Sequence, residues 1–220
     1  MNDRSAHKSL LNKKKLKRPT PARIIFFGFV AIILLGTSLL ALPISARNGS
    51  STGFTDALFT ATSSVCVTGL VVVDTNTYWS AFGKIVILIL IQIGALGIMS
   101  IVTLFSVITG RMLGLSQRIA LKESISYYSI ENIVIIFKEI LKLTLVIEGV
   151  GTLITAIDLI PIYGLAEGFA KSLFHSVSAF CNAGFDVFGT DAAKFTSLTE
   201  FKGDYWMLLT TAVLLSLIHI

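Results

Sequence analysis

Between Arg23 and Arg47 there is no charged side chain, and the same holds between Lys84 and Arg111. The apolar runs inside these gaps, Ile24–Ser45 with 22 residues and Ile85–Ile108 with 24, constrain the fold more than any other feature. At about 1.5 Å per helical residue, each reaches at least about 33 Å, enough to cross the roughly 30 Å hydrocarbon core of a bilayer. A single span in lipid must satisfy its own backbone hydrogen bonds, and a helix does so within one segment. A third apolar segment, Ile133–Ile160, carries Lys138, Glu139 and Lys142 near its start and Glu148 and Asp158 further on, and a fourth begins at Tyr205. Only 14% of the 220 residues are charged and 54% are hydrophobic, with a mean hydropathy of +0.81. An average soluble domain has about 25% charged residues. This composition excludes a soluble enzyme, whose surface it could not cover, and a disordered chain. The fold class it predicts is all-α and integral to the membrane.

Two stretches of 11 residues, Phe54–Ser64 and Phe169–Ala179, are too short to cross a membrane and suit re-entrant or interfacial segments. Each is followed by a loop containing a glycine. Laid over one another at a fixed offset of 115, Phe54–Thr75 and Phe169–Thr190 share eight identities in 22 positions without a gap. They are Phe54/Phe169, Leu58/Leu173, Phe59/Phe174, Ser63/Ser178, Cys66/Cys181, Gly69/Gly184, Val72/Val187 and Thr75/Thr190. Chance would give roughly two or three between apolar segments. The chain therefore reads as two tandem units of span, short helix, glycine loop and span. Pro43 and Pro161 are expected to end the first span of each unit, and Tyr78-Trp79 and Tyr205-Trp206 to mark the start of the second.

The basic residues predict orientation. Eight of the 18 lie in residues 1–23, and Arg111, Arg118, Lys122, Lys138 and Lys142 follow in the connection between the units. The opposite side has fewer, diluted by acids. The N-terminus is therefore expected in the cytoplasm, with both short helices entering from outside. A basic arm alone could point to nucleic acid, but a hydrophobic span follows at once and membrane orientation accounts for it better. The first run is too long for the apolar core of a signal peptide. Cys66 and Cys181 have no metal-binding or redox spacing, and are read as small buried packing residues behind the loops.

A loop at membrane depth is tolerated where protein or water surrounds it, and its carbonyls can then replace the hydration shell of a cation. Glycine permits the positive-φ turn that aims carbonyls inward. A short helix entering from outside directs its C-terminal end, with about half a negative charge, towards the membrane centre. Asp56 complements the opposite end of the first helix. Asp74 and Asp186 flank the loops on the outer side, where acids raise the local cation concentration. Glu148 is an acid within a span, a functional candidate by default.

The segments Ala61-Thr62-Ser63-Ser64-Val65-Cys66-Val67-Thr68-Gly69-Leu70 and Ser176-Val177-Ser178-Ala179-Phe180-Cys181-Asn182-Ala183-Gly184-Phe185-Asp186 carry a family resemblance, as do Gln92–Ile98 and Glu148-Gly149. The chain resembles the membrane subunit of Ktr-type potassium uptake systems, within the Trk/Ktr/HKT superfamily. The resemblance implies four span–pore helix–span units, each giving one filter strand with a single glycine, and K⁺ transport that is often Na⁺-coupled or Na⁺-stimulated. It also implies a homodimer on a cytoplasmic ring of nucleotide-binding regulatory subunits of the KtrA/TrkA type, and no cofactor. On this resemblance Val67, Thr68 and Gly69 match the first filter strand and Asn182, Ala183 and Gly184 the second, with Cys66, Leu70, Cys181 and Phe185 flanking them. A serine at the first glycine goes with Na⁺ preference in plant relatives, so Gly69 favours K⁺.

The expected organisation is a basic arm (1–23), a first pore unit (24–109) with pore helix 54–64 and filter loop 65–70, and a cytoplasmic connection (110–132). A second unit (133–214) follows, with span 133–160, pore helix 169–179, filter loop 180–185 and a shortened span from 205. Two units rather than four imply an incomplete pore, and the chain is expected to be an inactive N-terminal portion. Residues 215–220, Leu-Ser-Leu-Ile-His-Ile, are what the end sequence of a transposase-based sequencing adaptor encodes, so they are expected to be read-through. A membrane enzyme using the cysteines, His175 and Glu148, or a scaffold without transport, are the alternatives. No nucleophile–base spacing supports the former.

Overall fold

The computed structural model describes residues 21–97 and 133–217. Most of the basic arm, the connection 110–132, the end of the 85–108 span and residues 218–220 lie outside the described residues. The described residues form helices α1 (Pro21–Leu40), α2 (Phe54–Val65), α3 (Thr75–Tyr78), α4 (Ala81–Leu96), α5 (Ile133–Tyr163), α6 (Leu165–Phe180) and α7 (Tyr205–Leu217), with 3₁₀ turns at Pro43–Ser45 and Ser197–Phe201. No β-strand occurs among them, only an isolated antiparallel bridge between Ala46 and Trp79. Within α5, Lys138–Tyr163 is long and apolar enough to cross a membrane, with a mean hydropathy of 1.9. Ile25–Leu40, α4 and α7 are shorter apolar helices. Leu143, Val146, Val150, Leu153 and Ile157 make an exposed stripe along α5 at helical spacing, an outer face suited to lipid rather than to water.

Helix boundaries differ from those expected where a local signal competes with another. α1 stops at Leu40 instead of running to residue 45, because Pro43 has no N–H and restricts the residue before it. Pro161, in contrast, does not end α5. It lies in the last turn, where one lost backbone bond is tolerated, and the helix continues to Tyr163 before the chain turns at Gly164 (φ 82°). α6 then starts at Leu165, four residues before the expected start, because the Gly164 carbonyl already accepts the Gly168 amide at 2.8 Å. α4 starts at Ala81 because Ser80 caps it, its hydroxyl accepting the Gly83 amide at 3.2 Å.

The two units repeat in three dimensions beyond the segment where their sequences match. Gly36 of α1 and Gly151 of α5 are 115 residues apart, as are Thr37 and Thr152, whose hydroxyls donate to the carbonyls of Ile33 and Glu148 at 2.7 Å. A Cβ on Gly36 would meet Leu90 at 2.7 Å, and one on Gly151 would meet Leu214 at 2.9 Å. Leu90 and Leu214 are 124 apart, as are the helix caps Ser80 and Asp204. Nine extra residues therefore lie between α6 and α7. Both Tyr-Trp pairs stand at the start of the following helix, but at different places relative to it. Trp79 precedes the cap of α4 and is 1% exposed, whereas Tyr205 and Trp206 open α7 and Trp206 is 70% exposed. The two Tyr-Trp pairs are not equivalent.

Candidate functional site

The short helices α2 and α6 end identically. The amides of Cys66, Val67 and Thr68 donate to the carbonyls of Thr62, Ser64 and Ser63, and those of Cys181, Asn182 and Ala183 donate to Val177, Ala179 and Ser178. This is the Schellman pattern, which requires a left-handed residue just past the cap. Val67 (φ 55°) and Asn182 (φ 54°) occupy it. Asparagine tolerates that conformation, but a β-branched valine is strained there. Val67→Gly is expected to raise the melting temperature of the purified protein, by about 1 kcal/mol of relieved strain. An unchanged or lower value would contradict the strain.

Two residues further on, Gly69 and Gly184 both have φ 72°, and the two loops meet there. A Cβ on Gly69 would lie 2.7 Å from the Ala183 carbonyl oxygen, and one on Gly184 would lie 3.2 Å from the Gly69 Cα. The structure thus brings Gly69, Ala183 and Gly184 into backbone contact at the C-terminal ends of two helices. Ser63 and Ser178, an identity of the repeat, both tie loop to helix: Ser63 Oγ bonds Thr68 Oγ1 at 2.9 Å and Ser178 Oγ donates to the Phe185 carbonyl at 2.5 Å.

The cysteines differ. Cys181 is buried as expected, with Sγ 3.7 Å from Gln92 Oε1 and 3.8 Å from Glu148 Oε1. Cys66 is exposed, which corrects the expectation that both pack behind the loops. Gln92 of α4 reaches Cys181 from the first unit, while Cys66 stays exposed although α4 packs on the preceding Val65. His175 pairs through Nε2 with Thr211 Oγ1 of α7 at 2.9 Å. Leu70 is exposed and Phe185 buried.

In the loops that precede α4 and α7, Asp74 is a bracket between the units. Its buried carboxylate accepts the Thr77 amide and hydroxyl at 2.8 and 3.0 Å and the Phe195 amide of the second unit at 2.8 Å. Asn76 Nδ2 donates to the Gly189 carbonyl at 2.8 Å and its Oδ1 accepts from Lys84 at 2.6 Å. Burial pushes the Asp74 carboxyl up, but its amide and hydroxyl donors outweigh that and hold its pKa below the ordinary 3.8. Its contribution to stability is therefore full above that value and is lost as pH falls through the depressed one. Asp74→Asn is expected to cost about 2 kcal/mol at pH 7. In thermal melts the gap to the unsubstituted protein should close below pH 3.8; a gap constant with pH would refute the bracket. Asp186 is half-buried beyond the second loop, with the Phe188 amide on its carboxylate at 3.1 Å. Burial raises its pKa, and the Phe188 bond offsets this only in part.

Several of these residues were not singled out by sequence reasoning. Asn76 and Phe195 carry no motif, and their roles arise from the meeting of two loops. Lys171 stands where the first unit has Asp56, and its ammonium donates to the Val187 carbonyl at 3.0 Å and pairs with Glu167 at 3.5 Å. The offset of 115 identifies that position but not the exchange of charge.

A family model described as "TrkH: Cation transport protein" matches residues 5–217. The chain is 44% identical over 181 residues to the potassium/sodium uptake protein NtpJ of Enterococcus hirae, covering 82% of this chain and 40% of that protein. It is 42% identical over 173 residues to the Ktr system potassium uptake protein B of Bacillus subtilis, covering 79% and 38%. With the Ktr system potassium uptake protein D of the same organism, it shares 34% over 203 residues, covering 92% and 44%. The chain spans about two fifths of the length of these curated relatives.

Proposed function

The chain belongs to the TrkH family of cation transport proteins, and we propose that it supplies two pore units, 24–109 and 133–214, to a K⁺-translocating membrane subunit. The family is one of transporters, not enzymes. The observation that carries the proposal is the matched pair of helix ends, each with positive φ at the third and fifth loop residue and meeting at Gly69 and Gly184. Helix C-termini favour a cation, and loop carbonyls held at fixed positions replace its water. Val67, Thr68, Gly69, Asn182, Ala183 and Gly184 are the proposed filter residues, flanked by Cys66, Leu70, Cys181 and Phe185. Two loops cannot surround an ion, so further units of the same kind complete the ring. The exposed Cys66 marks one face where such a unit would sit, as α4 sits on Cys181.

The same reading places the subunit in the cell membrane with its N-terminus in the cytoplasm, as a homodimer on nucleotide-binding regulatory subunits, with Na⁺ as coupling ion. The exposed apolar stripe of α5 and the names of the Ktr-system relatives support it. Proteoliposomes carrying the full transporter test it: an imposed K⁺ gradient should drive ⁸⁶Rb⁺ entry that competing K⁺ suppresses. Entry insensitive to K⁺ would sink the reading.

A further inference from the structure

Glu148 breaks the symmetry between the units. It is 4% exposed on α5, and the corresponding position of α1, 115 residues earlier, is Ile33. The fold therefore accepts a branched apolar residue here, and burial of a polar one disfavours the helix unless it is partnered. Across the helix interface its partners belong to α6, the helix that carries the second loop. The Glu148 backbone carbonyl accepts Ser176 Oγ of α6 at 2.8 Å, and its carboxyl oxygen lies 3.8 Å from Cys181 Sγ, at the cap of that helix. Gln92 of α4 reaches the same sulfur through Oε1 at 3.7 Å, while its buried Nε2 has no partner. A thiol donates one proton and accepts weakly. That one proton faces the Glu148 and Gln92 oxygens together, so the three side chains form one cluster. Three helices thus close on the residue immediately before Asn182, Ala183 and Gly184. Among the described residues the first loop has no such brace, since the Ile33 side chain cannot accept a hydrogen bond and Cys66 is exposed.

We propose that Glu148 is a positioning residue for cation selection: through Cys181, and together with Gln92, it holds the second loop in the geometry that distinguishes K⁺ from Na⁺. This rests on the filter reading above. The test is the K⁺/Na⁺ flux ratio of the full transporter in proteoliposomes, a quantity independent of how much protein inserts. Glu148→Ile, which gives the second unit the residue of the first, is expected to lower the ratio about tenfold, equivalent to about 1.4 kcal/mol. Glu148→Gln keeps an acceptor and should lose less. Cys181→Ala should reproduce the isoleucine variant, and the double variant Glu148→Ile/Cys181→Ala should fall no further than either single one. A wild-type ratio in both single variants, or losses that multiply in the double, would overturn the proposal. If the isoleucine variant does not insert, Cys181→Ala against Cys181→Ser decides, with the serine expected to retain more of the ratio and equal ratios counting against the brace. Gly69→Ala separates the two readings. If it leaves the ratio intact the filter reading fails. If it destroys transport while the Glu148 variants match wild type, the role of Glu148 alone falls.

Discussion

Alanine at Gly69 will reduce K⁺ uptake by the full transporter more than tenfold, to the point where a host lacking its own K⁺ uptake no longer grows on low K⁺. Two costs combine at this residue. Its φ of 72° is disfavoured for any residue with a Cβ, by about 1–2 kcal/mol. The added methyl would also stand 2.7 Å from the Ala183 carbonyl oxygen, a backbone atom that moves only if the second loop moves. Each 1.4 kcal/mol is a factor of ten, so strain and displacement together are enough. Gly184→Ala has the same φ but meets Gly69 Cα at 3.2 Å rather than an oxygen, and should do less damage. ⁸⁶Rb⁺ uptake in cells with matched membrane levels checks both, and uptake by the Gly69 variant equal to wild type would remove this residue from the pore.

The second large effect is on stability. Gly94 of α4 lies against the end of α2, where a Cβ would come within 2.1 Å of the Val65 carbonyl oxygen and 2.8 Å of its carbon. No rotamer change relieves a clash with backbone, so α4 must withdraw from the helix that carries the first loop. Overpacking of this kind costs about 3 kcal/mol, and Gly94→Ala should lower the melting temperature of the purified transporter by on the order of 10 °C. Gly149→Ala is the control, because nothing lies within 4 Å of its Cβ position. Equal melting temperatures for the two variants would show that α4 does not pack as described.

Local and periodic signals made much of this legible beforehand. Apolar runs located α1, α4, α5 and α7, and the offset of 115 located α2, α6 and their loops. What remained hidden depends on tertiary geometry. No propensity scale would put Val67 in a left-handed conformation; the Schellman bonds of α2 impose it. Pro161 reads as a helix end by rule, yet its neighbours in the last turn of α5 tolerate it. Asp74 reads as a free acid at a pore mouth, and becomes a bracket only because Phe195, 121 residues away, brings its amide to it. Cys66 and Cys181 look alike in sequence, and only the presence of α4 over one of them tells them apart.

The agreement between the loop at Val67–Gly69 and that at Asn182–Gly184 has a consequence for how such a protein changes over generations. Of the three aligned pairs, only the glycines are the same residue, yet the backbone path is held in common by amide–carbonyl bonds that any side chain leaves in place. A repeat built on this path admits different side chains in its two loops, with glycine kept where the two paths meet.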